Sequence, residues 1–328
     1  MTLPTTRRLF LSLAATSVGA PLVARAQASP MTLRMGHVTA AGSVFDQGAK
    51  RFAELLEQKT GGAIKVAVFA GGQLGQEREV MEGMPLGIVD LHIFGTSTLT
   101  SIAPEIGDCD LPFLYASKAH ADKCLEGPVG DQWLKLIEPR GIRGLGWGAG
   151  GFRSCLNSKK PIARKEDFAG MKFRVAGGPV FIGMFKALGA SAIQMNWGEV
   201  YTAVQQGVID GLECPPNVAL SSKLNEVAKF ATLDEHTYSA LVFGMSDPAF
   251  KRLNPAQQKA AVEAGREAGR YMRDLAAKLD ADAAAELRAK GVRVDTIDKG
   301  PLIAAMEPVY KDLAKNPRVV AEVRATRA

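Results

Sequence analysis

Apolar positions along this chain alternate between two periods. Thr32 to His37 alternates residue by residue and predicts a strand; Phe45 to Thr60 carries apolar residues at helical spacing and stops at Gly61-Gly62. Ile64 to Phe69 is a second strand-like run, and the rhythm of strand and helix continues to the middle of the chain. That order predicts an α/β architecture. Near the C-terminus, Asn254 and Pro255 supply an N-cap and a first helical residue. Small or apolar residues then recur through Ala261, Gly265, Ala268, Met272, Leu275, Leu279, Ala283 and Leu287, with Gly291 as the stop. A helix of that extent is roughly 50 Å long, longer than one lobe of a protein this size, so it is expected to brace two. Two helices broken near Asp280 fit the same pattern.

One internal similarity bears on organisation. Glu79-Val80 precede Gly87-Ile88-Val89-Asp90 as Glu199-Val200 precede Gly207-Val208-Ile209-Asp210, at a constant offset of 120 residues. Each copy reads as a short helix, a glycine stop and a buried strand ending in aspartate. Such transitions are common in α/β chains, so chance recurrence stays open; if the copies are related, they mark two lobes of similar build with a cleft between them.

The 328 residues exceed what one hydrophobic core usually organises, which agrees with two units. Arg7 and Arg8 precede an apolar run from Leu9 to Val23 that closes on Ala24-Arg25-Ala26, the pattern of an export signal over residues 1–26. Thr6 to Leu11 fits its twin-arginine form, with an ordinary secretory signal as the alternative. The mature chain then starts near Gln27 and is periplasmic. Without Arg7, Arg8 and Arg25 the balance is 37 basic against 34 acidic residues, so the basic character is partly that of the signal. The remaining lysines and arginines are dispersed and not interleaved with aromatics, which argues against nucleic acid. No later apolar segment reaches the roughly 18 residues of a membrane helix. Of four cysteines, Cys109 and Cys124 flank a short loop and helix and are the one pair considered for a disulfide, with free thiols as the equal alternative. Cys155 and Cys214 read as small buried hydrophobes.

Enzyme signatures are scarce. His37, His92, His120 and His236 form no recognisable metal pattern, and no GxSxG elbow is present. Gly144-Leu145-Gly146-Trp147-Gly148-Ala149 matches a loose dinucleotide pattern, but a strand-like run follows where a helix N-terminus is required. No cofactor and no metal are expected. The strongest constellation is Met171-Lys172-Phe173-Arg174-Val175. Its alternation buries Met171, Phe173 and Val175 and turns Lys172 and Arg174 to the other face. Ala176-Gly177-Gly178-Pro179 and a helical run from Val180 to Leu188 follow, so a guanidinium is delivered beside a helix N-terminus. Free N–H groups, the helix dipole and an arginine fork together suit a carboxylate. Arg153, emerging from Gly150-Gly151-Phe152, is a second candidate; a solvated or ion-paired arginine is the plain alternative for each.

These residues resemble the solute-binding subunits of tripartite ATP-independent periplasmic (TRAP) transporters, DctP type. The likeness rests on Ala70-Gly71-Gly72-Gln73-Leu74-Gly75-Gln76-Glu77-Arg78, Leu111-Pro112-Phe113, Gly151-Phe152-Arg153, Lys160-Pro161-Ile162, Phe168 to Val175, and Trp197-Gly198-Glu199-Val200-Tyr201 through Gly207 to Glu213. It implies a two-lobed α/β periplasmic binding protein fold with hinge strands and a long C-terminal helix spanning both lobes. Lobe I would take 27–150 and 240–279, and lobe II 151–239 and 280–328. It further implies a monomeric receptor that captures a small organic acid and delivers it to the membrane permease subunits. Arg174 would pair with the ligand carboxylate, Arg153 would be a second site arginine, Trp197 an aromatic wall, and Thr96 and Ser97 hydroxyl donors, with Gly177, Glu213 and Cys214 also expected at the substrate. Sialic-acid binders of the family carry Pro-Asn where this chain has Ala176-Gly177, and Glu-Asn-Pro where it has Glu213-Cys214-Pro215, so the resemblance disfavours that ligand. Relatives that bind 2-oxo acids through a metal ion tend to carry tryptophan at the Cys214 position. An extracytoplasmic sensor for a signalling kinase and, further off, an enzyme with a composite site are the competing readings.

Overall fold

A computed structural model describes residues 29–327; the export signal expected over residues 1–26 lies outside them. Strand β1 (Met31–Gly36) buries Leu33 and Met35 and pairs in parallel with β2 (Ile64–Phe69), Met31 opposite Ile64 through Gly36 opposite Phe69. The helix Val44–Lys59 connects them. Ser43 Oγ caps its first turn by accepting from the Asp46 N–H, and Gly61 and Gly62 follow it with φ of 59° and 80°, a region that glycine enters freely. β3 (Leu91–Gly95) lies on the other side of β1.

Two long strands then carry the chain between halves. β4 (Ile142–Asn157) and the later strand Phe230–Ser246 run antiparallel over most of their length, with register shifts at Gly144/Gly146, Ala149/Phe152 and Arg153/Cys155. Such bulges bend a ladder without ending it. Beyond them lie β5 (Lys172–Val175), β6 (Ser191–Gln194) and β7 (Gly211–Cys214), parallel to one another. The strand Phe230–Ser246 is β8, and β9 (Arg293–Thr296) pairs with its first half. The result is one nine-stranded sheet in the order β2-β1-β3-β8-β4-β7-β5-β6. Its two parallel ends are the sheets of two lobes, joined by the β4–β8 pair.

The C-terminal pattern forms a single unbroken helix, Pro255–Ala289. Asn254 and Gln257 cap it reciprocally, each side chain accepting the other's backbone N–H. Its small residues allow backbone to meet backbone: a Cβ on Gly269 would fall 2.1 Å from the Trp147 carbonyl oxygen of β4. The glycine run 144–148 therefore lies within a strand under this helix, not in a nucleotide loop. Asp280 accepts from the Asn217 backbone and side chain at 3.2 and 2.6 Å, and leaves no room for a side chain at Gly151, where a Cβ would sit 1.9 Å from its Oδ2. Among the described residues no helix is long and apolar enough to cross a membrane.

The repeated unit is real in three dimensions, with one correction. Gly87 and Gly207 both take positive φ, 75° and 72°, but the strand starts after each aspartate, at Leu91 and Gly211. The aspartates close the loop. Asp90 Oδ2 accepts from the Arg34 N–H at 2.9 Å and Asp210 Oδ2 from the Lys172 N–H at 2.8 Å, the same bond to the neighbouring parallel strand in each lobe. All four cysteines are free and buried. Cys109 Sγ donates to the Ile106 carbonyl and Cys124 Sγ meets Thr326 Oγ1, so the pairing considered for them is not formed. The final helices pack Leu313 over Gly183, while Asp108 accepts from the backbone of Lys315 and Asn316 and His120 bonds the Val323 carbonyl.

Candidate ligand cleft

The carboxyl ends of β3, β5 and β7 face one another across a cleft of about 790 Å³. β5 places Arg174 on its floor. Phe173 and Val175 enter the core on the opposite face, as the alternation requires, while Lys172 is exposed. Arg174 is itself only 3% exposed. The guanidinium donates from Nε and Nη2 to the Met195 carbonyl at 2.9 and 2.7 Å, and its carbon lies 5.4 Å from the centre of the Trp197 ring. Burial draws its pKa down to about 10, with Arg153 acting in the same direction and the charges of Glu213 and Glu77 acting against it. No carboxylate among the described residues forms an ion pair with it. The helix Pro179–Ala187 opens beside it, capped by no side chain at Gly178.

Arg153 on β4 is arranged differently. Its Nε and Nη2 grip both carboxylate oxygens of Glu213, Nη2 also reaches the Glu213 carbonyl at 2.8 Å, and Nη1 donates to Ser239 Oγ at 3.1 Å. The Phe181 ring lies 5.4 Å from it. Behind Glu213 stands His236, 3.4 Å from Glu213 Oε2 and 2.9 Å from Asp234 Oδ2. Burial alone would raise the Glu213 carboxyl, but Arg153 and His236 hold it at about 2. Burial likewise opposes charge on His236, and Asp234 and Glu213 outweigh it to keep its pKa near 9. Cys155, Asp234 and His236 lie close enough to ligate an ion, yet the imidazole is already engaged as a cation between two carboxylates.

The opposite wall is acidic and hydroxylated. Thr96 Oγ1 donates to Asp110 Oδ1 at 2.5 Å; Glu77 accepts from Thr98 Oγ1 at 2.5 Å and from the Gly95 N–H at 3.3 Å. Burial lifts the Asp110 carboxyl to about 7 against the Thr96 bond and the charge of Arg153, and it raises Glu77 as well.

Residues 35–316 match the model of the DctP family, the bacterial extracellular solute-binding proteins of family 7. The chain belongs to this family. It is 37% identical over 289 residues to a solute-binding protein of Verminephrobacter eiseniae, covering 88% of this chain and 86% of that one. Among solved structures, a TRAP periplasmic solute-binding protein of Polaromonas sp. JS666 bound to D-erythronate superposes with a TM-score of 0.88 at 32% identity, over 91% of this chain and 99% of the other. One from Sulfitobacter sp. NAS-14.1 with bound β-D-galacturonate gives 0.84 at 34% identity, over 90% and 99%. This family 7 protein is thus a solute-binding receptor of TRAP transport.

Within the family 7 cleft, Arg174, Arg153, Trp197, Cys214, Thr96 and Ser97 are all at the lining. Glu213 is not; it is fully buried beneath Arg153. Gly177 is also set back, at φ 138°, where a Cβ would meet Gln194 Nε2 at 2.9 Å. Sequence reasoning overlooked Asp110, Glu77 and His236 as site residues. Glu77 and Asp110 adjoin or lie within the motifs Gly75-Gln76-Glu77-Arg78 and Leu111-Pro112-Phe113, a signal of position but not of direction.

Proposed function

We propose that this family 7 receptor is periplasmic and binds a small hydroxylated organic acid, with Arg174 as the anchor of its carboxylate, and presents the closed complex to the permease. The observation that carries this reading is a buried guanidinium that faces the cleft with a carbonyl and an aromatic ring as partners and, among the described residues, no carboxylate in ion-pair contact. A buried charge without its opposite is costly, and a ligand carboxylate relieves that cost. Charge-assisted hydrogen bonds contribute roughly 1.5–3 kcal/mol each, and micromolar affinity needs about 8 kcal/mol, so one clamped carboxylate with a few polar neighbours suffices. The cleft volume lies within the roughly 300–1,000 Å³ usual for small-molecule sites. The D-erythronate and β-D-galacturonate bound by similar proteins are acids of this kind.

In this reading residues 27–150 with 240–279 move as one lobe and 151–239 with 280–328 as the other, hinged on the β4–β8 crossing. The receptor acts as a monomer, without nucleic acid, and releases its ligand unchanged. Mass spectrometry of ligand carried through purification, with a thermal-shift screen of organic acids, tests it. We expect a carboxylic acid to be recovered and to raise the melting temperature; stabilisation by no acid would refute the reading.

A further inference from the structure

We propose that Asp110 and Glu77 set the ligand class, admitting an acid with one carboxylate and a hydroxylated tail and turning away acids that carry a second carboxylate on that tail. The inference rests on the reading of Arg174 as the carboxylate anchor.

The charges around the cleft are few and unevenly committed. Arg153 is already held by both oxygens of Glu213. Arg78 stands at the exposed rim, bonded to Glu82, and Glu199 at the rim accepts from Asn196. Arg174 is therefore the one lining cation whose partners are all neutral. A ligand that places its carboxylate there points its other end at β3 and the segment that follows. That end meets Asp110 and Glu77, which line the cleft and make hydrogen bonds but no ion pair among the described residues, although they feel the charge of Arg153 and, for Glu77, Arg174. Asp110 spends one oxygen on Thr96 and keeps the other free, while Ser97 Oγ has no protein partner among the described residues.

Hydroxyl groups suit this wall. They donate to the carboxylates in charge-assisted bonds and accept from Ser97. A second carboxylate brings acceptors to acceptors and adds negative charge beside two buried carboxyls whose own ionisation burial already disfavours, and no lining cation without an ion pair remains to receive it. Discrimination here comes from repulsion of the wrong ligand as much as from attraction of the right one.

Isothermal titration of matched pairs that differ at one end only tests this directly: D-erythronate against meso-tartrate, and D-galactonate against galactarate, with succinate as an unhydroxylated diacid. Wild-type protein is expected to bind at least one monoacid about 100-fold or more tightly than its diacid partner. Asp110→Asn and Glu77→Gln, made singly, should each narrow that ratio by tightening the diacid. A diacid bound as well as its monoacid partner overturns the inference while leaving the receptor reading intact, and this comparison needs no variant to fold. Binding of butyrate, added as an unhydroxylated monoacid, with no binding of either hydroxylated monoacid also overturns it. If no carboxylate of any kind binds, the receptor reading fails and this inference fails with it.

Discussion

At the carboxyl end of β5 the cleft carries Arg174, the Trp197 ring and an uncapped helix opening; at the carboxyl end of β3 it carries Thr96, Ser97, Asp110 and Glu77. Both walls grow from the same local design, a glycine turn and an aspartate that bonds the neighbouring strand, Asp210 to Lys172 and Asp90 to Arg34. What differs is the chemistry set at the strand ends. One wall is cationic and lacks an anion, the other acidic and rich in hydroxyls, so a ligand with unlike ends has one good orientation. Between them the Arg153–Glu213 pair is internally balanced and serves as a fixed strut. Two arginines on one cleft thus do different work: one is complete within the protein, the other is completed by the guest.

The largest expected effect separates the two arginines. Glu213→Gln leaves Arg153 buried and unpaired, and should lower unfolding stability by about 3–5 kcal/mol in denaturant titration. Arg174→Gln removes a buried cation that makes no ion pair, and should leave the ligand-free protein no less stable than wild type. Equal losses from both would erase the distinction.

A pH dependence follows from His236. Its folded pKa of about 9 exceeds the ordinary 6.5, so the protonated imidazole stabilises the fold. That contribution is fully present below about pH 6.5 and is lost as pH rises through about 9. Unfolding midpoints measured across this window should fall for wild type and flatten for His236→Gln. Glu213 runs the other way: held at about 2, its contribution is present above the ordinary 4.5 and is lost as pH falls toward 2.

Smaller effects probe each wall. Trp197→Ala removes the ring beside Arg174 and should weaken ligand binding about tenfold, the scale of a desolvated cation–π contact of about 1.5 kcal/mol. Thr96→Val removes the donor that holds Asp110 and should cost about fivefold in affinity, near 1 kcal/mol. Titration calorimetry reads both. A Thr96 effect larger than the Trp197 effect would move the weight of recognition to the lobe I wall.

Much of the scaffold was legible because its signals are local. The run Ile64–Phe69 coincides with β2, Asn254 caps the long helix, and the alternation at Lys172–Val175 orients Arg174 correctly. Local pattern also misled. Ile88-Val89 and Val208-Ile209 look like strand interior, yet Ile88 is 57% and Val208 52% exposed, in loops that the aspartates close. The acidic wall was not legible for a different reason. Residues 77, 110, 153, 174, 213 and 236 meet only when the β4–β8 crossing sets the two parallel sheets in register, and no spacing along the chain encodes that. Whether an arginine is free or already paired depends on the same register.

Titration calorimetry of wild type and Arg174→Gln with the acid recovered from the purified protein bears on the anchor itself. Loss of about 100-fold or more in affinity, with the ligand-free melting temperature undiminished, is the predicted result. Wild-type affinity in the variant would contradict the account, because the carboxylate would then be held somewhere other than at the buried cleft arginine that makes no ion pair among the described residues.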